Sequence, residues 1–523
     1  MNYGFIIDNR KCIGCHACTV ACKAEHEVPV GVNRTWVKYI EKGTFPDTRR
    51  LFSVMRCNHC ADAPCVEICP VTALFTRSDG IVDFDSRRCI GCKACTQACP
   101  YDALYMEPDD HTAAKCNYCT HRVDVGLEPA CVNVCPEHAI ISGDMDNPTS
   151  EISQLLAREV VQVRKPEKGT KPKLFYIDGD NASLDPTETN PDTDYMWSSQ
   201  SSGVGHYAKF AERRVAESPL KEETAAQKSN FVQIEPRKKA RRVYDAPNKG
   251  VLWGWEVSAY IWTKAIAAGA FLVPILGGYF MEVPESIKRV GVIIAFVFLA
   301  ITGVLLIMDL GRPDRFLNVL FRPQWKSWLS RGAYIITAYG GLLTLWLLAS
   351  FLGFGNVLKY IEPFGIVFAL LSAVYTAFLF AQAKGRDFWQ SPMLGLHMLI
   401  HSLMAGFAVF LLANLFVKMN VGLLLALSFL TIITLIFHLI TLAIELITTH
   451  TTDDAHATVK MITSGEFSRA FWFGMILVGN TLPLILLFAG QIWALALAGV
   501  LILAGLYFAQ HIWVKAPQRI PLS

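Results

Sequence analysis

Long apolar runs fill the C-terminal half of the chain from Val251 onward, and short charged segments separate them. A helix that crosses a bilayer needs about 20 predominantly apolar residues. Eight runs reach that length, more than the buried core of a soluble domain would supply. The predicted membrane helices are Trp253–Phe280, Arg289–Met308, Arg331–Phe354, Ile361–Ala383, Gly395–Val417, Val421–Leu446, Arg469–Ala489 and Gln491–Trp513.

Lysine and arginine residues lie mainly on one side of these predicted helices. Seventeen of them lie in the segment Arg237–Lys249 just before the first helix, in the loop after every second helix or after the last helix, whereas the other loops hold four. Because positive residues accumulate in cytoplasmic loops, we expect both ends of the chain, and with them its N-terminal half, on the cytoplasmic side of the inner (cytoplasmic) membrane. Residues 1–10 contain no apolar secretory segment and no twin-arginine signal, which agrees.

The N-terminal half lacks such runs and holds all sixteen cysteines in four groups of four. The groups are Cys12, Cys15, Cys18 and Cys22; Cys57, Cys60, Cys65 and Cys69; Cys89, Cys92, Cys95 and Cys99; and Cys116, Cys119, Cys131 and Cys135. The first and third groups have the C-x2-C-x2-C-x3-C spacing of bacterial ferredoxins. Zinc sites favour CxxC pairs or Cys/His sets, and disulfide frameworks belong to small secreted domains, so both alternatives fit less well. The pattern predicts four [4Fe–4S] clusters.

The second and fourth groups are stretched versions of this spacing, and they lie in further motifs. These motifs are Cys57-Asn58-His59-Cys60, Cys69-Pro70, Asp79-Gly80, Cys99-Pro100-Tyr101 and Lys115-Cys116-Asn117-Tyr118-Cys119. Over residues 1–180 the chain resembles the four-cluster subunit of the molybdopterin oxidoreductase family, which includes polysulfide, tetrathionate and dimethyl sulfoxide reductases. The resemblance implies an α+β iron–sulfur domain built from two double-cluster ferredoxin-like folds.

The resemblance also implies that the groups exchange their last ligands. Each cluster would then take three thiolates from one group and one from another. The implied sets are Cys12, Cys15 and Cys18 with Cys135; Cys116, Cys119 and Cys131 with Cys22; Cys57, Cys60 and Cys65 with Cys99; and Cys89, Cys92 and Cys95 with Cys69.

Residues 181–250 are polar and predict a linker or surface strap with a basic end. The basic residues are Arg237, Lys238, Lys239, Arg241, Arg242 and Lys249. A basic stretch directly before an apolar helix favours an anchor at the membrane surface, and we expect no nucleic-acid partner. The predicted domains are therefore 1–180, 181–250 and 251–515.

The membrane half resembles the NrfD-like, or polysulfide reductase type, membrane subunit. The matching residues are Trp253-Gly254-Trp255, Ala268-Gly269, the segment Asp309–Phe316, and Phe471-Trp472 with Gly474, Gly479 and Pro483. The resemblance implies an all-α bundle of eight transmembrane helices that holds no haem and exchanges electrons with quinone, either menaquinone or ubiquinone.

Ionisable residues inside membrane helices are candidates for function. Glu256, Tyr260 and Lys264 recur every four residues on one face of the first helix, and Tyr260 lies where the relatives place a quinone-binding histidine. A tyrosine with a carboxylate can supply a hydrogen bond and a proton to a quinone carbonyl. Alternatively, Tyr260 is an interfacial anchor and Glu256 pairs with Lys264. Asp309 and Arg312 follow the second helix and are predicted to form an ion pair at its end. A structural role is favoured for this pair over a chemical one.

Three histidines lie within predicted membrane helices. His397 and His401 share one face of the fifth helix, and His438 lies in the sixth, before Glu445. They are compatible with a b-type haem, a quinone pocket or a proton route.

These features together predict an electron-transfer and quinone-reacting subunit of a larger oxidoreductase. Its partners would be a molybdopterin-containing catalytic subunit, the quinone pool and the lipid bilayer, and the catalytic partner could act on a sulfur compound. The chain itself would not hold the molybdopterin centre. Two alternatives are a cluster-driven module that translocates protons or ions, and a purely structural membrane anchor, which the sixteen spaced cysteines disfavour.

Overall fold

The computed structural model describes residues 1–44, 46–189, 240–247, 249–448, 450 and 452–523. Its residues separate into two compact units. The first comprises Met1–Val66, Ala73–Leu252 and Pro521–Ser523, and the second comprises Glu67–Thr72 and Trp253–Ile520. The first has the mixed strands and short helices of the predicted iron–sulfur domain, and the second is helical, so the predicted fold class is confirmed.

Strands of the first unit form two small sheets and two hairpins. The larger sheet has the order β8-β1-β10-β9, with β1 parallel to β10 and antiparallel to β8. A second sheet has the order β11-β2-β3, and β4-β5 and β6-β7 are the hairpins. The strands are β1 Tyr3–Asp8, β2 Thr35–Thr44, β3 Asp47–Arg56, β4 Leu74–Thr76, β5 Val82–Phe84, β6 Leu104–Met106, β7 Ala113–Lys115, β8 Ile140–Asp144, β9 Val161–Gln162, β10 Leu174–Ile177 and β11 Ala240–Tyr244.

Short helices follow the cysteine loops. They are α1 Ala17–Glu25, α2 Pro64–Ile68, α3 Ala94–Ala98, α4 Thr120–Val123 and α5 Ala130–Asn133. Two further helices, α6 Glu151–Arg158 and α7 Asn181–Leu184, follow β8 and β10. The loops of the first and third cysteine groups have the same backbone conformation at equivalent positions. Gly14 and Gly91 have φ of 71° and 70°, and His16 and Lys93 have φ of 61° and 60°. Glycine adopts this left-handed conformation without the steric cost that a side chain imposes. Each chain segment can thus curl tightly around its first three cysteines.

Both ends of the predicted linker take part in the first unit. Residues 181–184 form α7, and β11 pairs antiparallel with β2. Arg241 contacts Glu41 at 2.6 Å, and Arg242 contacts the buried Asp245 at 3.2 Å, so these two basic residues make ion pairs within the protein. Residues 190–239, which include Arg237, Lys238 and Lys239, lie outside the described residues.

Among the described residues, eight helices are long and apolar enough to cross a membrane, which confirms the predicted number. They are TM1 Trp255–Gly277, TM2 Glu285–Met308, TM3 Trp328–Phe351, TM4 Gly355–Gln382, TM5 Leu394–Ala413, TM6 Val421–Ile447, TM7 Ala470–Ala489 and TM8 Ile492–Lys515. TM4 begins earlier than predicted and contains Pro363 within the helix. Shorter helices are Asn318–Phe321 and Asp453–Thr463.

TM7 begins as a π-helix. Residues Ala470–Thr481 have this geometry, and an α-helix continues over Leu482–Ala489. Gly490, with φ of 68°, ends the helix at the predicted break. A π-helix of this length is rare, since most are single turns within α-helices, and they occur frequently at functional sites.

TM1 and TM5 are the interior helices of the bundle. The apolar window of TM1 is 83% buried and that of TM5 is 78% buried, against 22% for TM6. Gly269 of TM1 lies directly against Ser402 and Gly406 of TM5, so a side chain there would collide with backbone atoms. Small residues allow membrane helices to approach closely, where van der Waals packing stabilises them. Polar side chains such as Lys264 of TM1 and His397 and His401 of TM5 are therefore buried in protein.

Candidate iron–sulfur and buried polar sites

A small open cavity in the first unit is lined by Cys12, Cys15, Cys18 and Cys135. Three of these residues come from the loop before α1 and from α1 itself, and the fourth follows α5. Apolar residues complete the walls: Ile13, Val37, Val54 and Ile140. Four thiols around an apolar cavity suit a [4Fe–4S] cluster, and they are the set that the sequence predicts for one cluster.

In each of two further predicted sets, the cysteines lie close enough to raise the pKa of another member of the same set. Burial, followed by the neighbouring Cys116 and Cys131, raises the pKa of Cys22 above its usual range. Burial, followed by Cys57 and Cys99, raises the pKa of Cys60 to about 12. Buried thiolates that face one another are unfavourable without a cation, whereas a metal keeps coordinating thiols deprotonated. The chemistry of these thiol sets therefore fits the predicted clusters.

Backbone N–H groups point at several of these sulfurs. Ala139 donates to Cys135 Sγ at 3.2 Å, and Gly91 and Ala113 each donate to Cys89 Sγ at 3.4 Å. Hydrogen bonds to ligand sulfurs are one of the features that set the reduction potential of an iron–sulfur cluster.

Arg56 is a fully buried cation among the cysteines, and the sequence analysis missed it. Its Nη1 donates to Cys131 Sγ at 3.1 Å, and its guanidinium lies 4.5 Å from the ring centre of Phe5. The Nε and Nη2 atoms are buried without a hydrogen-bond partner. The guanidinium also acts electrostatically on Cys18 and Cys116, which belong to two different predicted sets. The only signal in the sequence was a charge at the end of β3, directly before Cys57.

In the second unit, two of the predicted TM1 residues converge on TM4. Nζ of Lys264 donates to Oγ1 of Thr376 and lies 4.1 Å from the ring centre of Tyr375. Tyr260 lies close enough to Tyr375 and Asp309 to interact with them electrostatically. Lys264 and Tyr260 are buried, with exposures of 1% and 5%. Sequence reasoning did not find Tyr375 and Thr376, because their helix is separated from TM1 by about one hundred residues.

The other predicted residues of this region have different neighbours. Glu256 interacts electrostatically with Tyr507 of TM8. Among the described residues, Lys264 contacts Thr376 and Tyr375 and forms no ion pair with Glu256. Nε of Arg312 donates to Asp314 at 3.0 Å. The pairing of Asp309 with Arg312 stays a prediction.

A chain of hydrogen bonds joins four helices in the interior of the bundle. Nδ1 of His438 lies 2.9 Å from Oδ1 of Asn480, whose amide nitrogen donates to Met475 O. Because Oδ1 can only accept, His438 donates from Nδ1 and accepts at Nε2. Nε2 of His401 lies 3.1 Å from Nε2 of His438 and therefore donates to it. Nδ1 of His401 in turn accepts from the side-chain amide of Gln510 at 2.8 Å. Neutral histidines satisfy the whole chain.

Next to this chain, Nε2 of His397 lies 2.7 Å from Oε2 of Glu445. Both side chains are 3% exposed, and neither carboxylate oxygen has a hydrogen-bond partner of acceptable geometry. Ring nitrogens of His397, His401 and His438 lie within 4.8 Å of one another. A haem iron between His401 and His438 needs about 4 Å from nitrogen to nitrogen, so their direct contact does not fit a b-type haem. Asn480 and Gln510 were not found from the sequence.

Comparison with known proteins agrees with both units. The family model described as "Polysulphide reductase, NrfD" matches residues 245–520, and two models of a 4Fe–4S dicluster domain match residues 48–145 and 11–74. The chain therefore belongs to the NrfD polysulphide reductase family, fused to 4Fe–4S dicluster domains. It is a multi-pass membrane protein for electron transfer.

Several curated proteins are similar to about a third of the chain. It is 44% identical to a tetrathionate reductase subunit of Salmonella typhimurium, over 35% of this chain and 75% of the relative. It is 43% identical to a polysulfide reductase subunit of Wolinella succinogenes, over 34% of this chain and 93% of the relative. It is 42% identical to NrfC of Escherichia coli, over 34% and 81% respectively. The predicted resemblance to both halves is thereby confirmed.

Proposed function

We propose that this chain transfers electrons between a molybdopterin-containing catalytic subunit and membrane quinone, through four [4Fe–4S] clusters. The observation that carries the proposal is the fusion of four cysteine groups, one predicted set of which lines a cavity, with a membrane unit that holds buried hydrogen-bond donors. The names of the tetrathionate and polysulfide reductase relatives support a partner that acts on a sulfur compound. The charge distribution supports an iron–sulfur domain on the cytoplasmic side of the inner membrane.

The cysteines hold the clusters in the exchanged sets predicted from the sequence. When bound, each [4Fe–4S] cluster supplies a one-electron acceptor and donor. The protein's own contribution is the position of the thiolates, the N–H groups aimed at Cys89 and Cys135, and the apolar residues that line the site of Cys12 and Cys135. For the set that combines Cys69 with Cys89, Cys92 and Cys95, the pairing rests on the resemblance alone.

The quinone site lies around Tyr260 and Lys264 on TM1. Lys264 uses one of its ammonium hydrogens on Thr376, so the others can donate to a quinone carbonyl. Tyr260 supplies a second donor, and Tyr375 offers an aromatic face for the quinone ring. Reduction of a quinone takes up two protons, and Asp309, which interacts electrostatically with Tyr260, is the candidate proton source. Glu256, at the start of TM1, takes part in proton delivery. Arg312 lies just after the end of TM2 and shapes the loop that follows that helix.

Kinetics of cluster reduction by a quinol test this proposal. The intact complex is purified without oxygen, and the clusters are followed by their visible absorption. Tyr260→Phe and Lys264→Gln are expected to slow reduction by quinol by at least tenfold, while reduction by dithionite stays unchanged. Tyr339→Phe is the matched control, because this buried tyrosine of TM3 donates only to the backbone oxygen of Ala267, at 3.0 Å.

Two outcomes contradict the proposal at different points. An unchanged quinol rate in both variants would remove the quinone site from TM1. Iron well below sixteen atoms per chain after anaerobic purification, a ratio set by the sixteen cysteines, would remove the four-cluster assignment. A large co-purifying subunit that contains molybdenum supports the partner, and its consistent absence from intact complexes contradicts it.

A second function, translocation of protons during electron transfer, is favoured by the buried chain that runs through His401, His438 and Asn480. Each member donates to the next, as proton transfer along a chain requires. The test is acidification or alkalinisation of proteoliposomes during quinol turnover. Asn480→Leu is expected to abolish the pH change while electrons still flow, and an unchanged pH signal in this variant contradicts the second function.

A further inference from the structure

We propose that His397, His401, His438 and Glu445 form a binding site for a divalent first-row transition metal ion, with Zn²⁺ the best match, in the interior of the membrane unit. This site is separate from the cysteine sets and does not depend on the proposed quinone reaction. Nothing in the family matches assigns a metal to this region.

The first support is the type and spacing of the ligands. Three imidazoles present ring nitrogens within 4.8 Å of one another. In a tetrahedral zinc site with Zn–N bonds of about 2.0–2.1 Å, neighbouring nitrogens are about 3.3 Å apart. Nε2 of His401 and Nε2 of His438 are 3.1 Å apart, which is close to that edge. Imidazole suits zinc, copper, iron and nickel, whereas magnesium and calcium prefer oxygen.

The second support comes from atoms that the protein leaves unsatisfied. Nε2 of His397 and both carboxylate oxygens of Glu445 are buried, and apart from the contact between His397 and Glu445 they have no hydrogen-bond partner among the described residues. Ionisable groups within a bilayer are costly unless they are paired or coordinated. A divalent cation beside Glu445 would coordinate a carboxylate oxygen and balance its charge. The 2.7 Å contact between Glu445 and His397 keeps both groups at the same point.

The third support is the set of residues behind the ligands. Metal-binding histidines usually donate their other ring N–H to a fixed acceptor, which orients the ring. Nδ1 of His438 already donates to Asn480 Oδ1 at 2.9 Å. Nδ1 of His401 lies 2.8 Å from the amide of Gln510, which can present its oxygen instead of its nitrogen after a flip of the amide group. With Zn²⁺ bound, the metal replaces the proton that His401 donates to His438.

Zinc analysis with X-ray absorption at the zinc edge tests the site in the purified full-length protein. We expect one Zn²⁺ per chain with nitrogen and oxygen neighbours at about 2.0–2.2 Å. Zinc that has replaced iron in the cysteine sets would instead show sulfur neighbours at about 2.3 Å, so the two locations are distinguishable. His438→Gln and Glu445→Gln are expected to lose this zinc, while His511→Gln of TM8, outside the cluster, keeps it.

A second measurement does not depend on the folding of the variants. The wild-type protein is stripped with a chelator, reloaded with Cu²⁺ alone, and examined by electron paramagnetic resonance with the clusters oxidised. Nitrogen hyperfine coupling from several imidazoles supports the site. No zinc or copper at nitrogen ligands, or zinc that persists in both variants, overturns it. The metal site would also be overturned if the wild-type protein bound no metal and His438→Gln abolished proton translocation. That result would favour a proton-conducting role for the histidines.

Quinol kinetics separate this inference from the proposed function. If zinc is absent but Tyr260→Phe still slows quinol reduction, the metal site fails and the quinone site stands. If zinc is present and Tyr260→Phe does not change quinol reduction, the metal site stands and the quinone site fails.

Discussion

Nη1 of Arg56 donates a hydrogen bond to Sγ of Cys131 over 3.1 Å, from a guanidinium that is completely buried. Arg56 also interacts electrostatically with cysteines of two predicted cluster sets. A fixed positive charge favours the reduced, more negative form of a nearby cluster. The two buried nitrogen atoms without a partner are placed to interact with cluster sulfur, which a bound cluster would supply.

We expect Arg56→Gln to lower the midpoint potential of at least one cluster. A hydrogen bond that involves a charged group contributes about 2 kcal/mol, which corresponds to a shift on the order of 100 mV for one electron. Redox titration followed by electron paramagnetic resonance measures this shift. Arg50→Gln on the same strand is the control, because Arg50 is exposed and pairs with Glu41. Unchanged potentials in Arg56→Gln with all clusters present would contradict this role.

The exchanged ligand sets predict which cysteines share a cluster. Cys22→Ser and Cys116→Ser are expected to change the same paramagnetic signal, although the two residues lie in different sequence groups. Cys12→Ser and Cys135→Ser are expected to change another. If Cys22→Ser instead altered the signal that Cys12→Ser alters, each group would hold its own cluster and the exchange would be wrong.

Gly269 limits the distance between TM1 and TM5. We expect Gly269→Ala to destabilise the membrane unit by about 1–3 kcal/mol, because the new methyl group would overlap the backbone near Ser402 and Gly406. Thermal unfolding in detergent, followed by size-exclusion chromatography, measures the loss. Gly303→Ala of TM2 has no atom within 4 Å of the added carbon and should unfold near the wild-type temperature. Equal unfolding temperatures for the two variants would show that the packing relaxes.

Thr376 holds the ammonium group of Lys264. Replacing it by valine keeps the shape of the side chain but removes the hydroxyl acceptor. We expect Thr376→Val to change the KM for quinol severalfold while kcat changes less, because the ammonium group loses its fixed direction but remains a donor. Steady-state kinetics with a range of quinol concentrations provide the measurement, and Thr344→Val on the exposed side of TM3 is the control. A fall in kcat alone would indicate a different role for Lys264.

Much of the fold follows from local patterns in the sequence. The eight apolar runs predicted the membrane helices, since the bilayer fixes their length, and the spacing of Cys12 to Cys22 and Cys89 to Cys99 predicted the ferredoxin-like loops. Both patterns can be recognised in the sequence because bilayer thickness and cluster binding each constrain residues that are close together along the chain.

The details of the buried sites did not follow, because distant elements build them. Arg56 approaches Cys131 from a strand, and Gln510 reaches His401 across more than one hundred residues. Lys264 has a hydroxyl and an aromatic ring as partners, whereas the alternative interpretation of the sequence paired it with Glu256. In each case one polar residue was visible in the sequence, but its partner was indistinguishable from other polar residues before the helices were packed.

The π-helix at the start of TM7 has a consequence for how His438 keeps its partner. In an α-helix each residue turns the chain by about 100°, and a π-helix turns it by less. If the turns around Asn480 returned to α-helical geometry, the side chains they contain would rotate around the helix axis. Asn480 would then point elsewhere, and the adjacent Gly479 offers no side chain to replace it. The winding of TM7, and not its composition alone, decides whether His438 has an amide to bind.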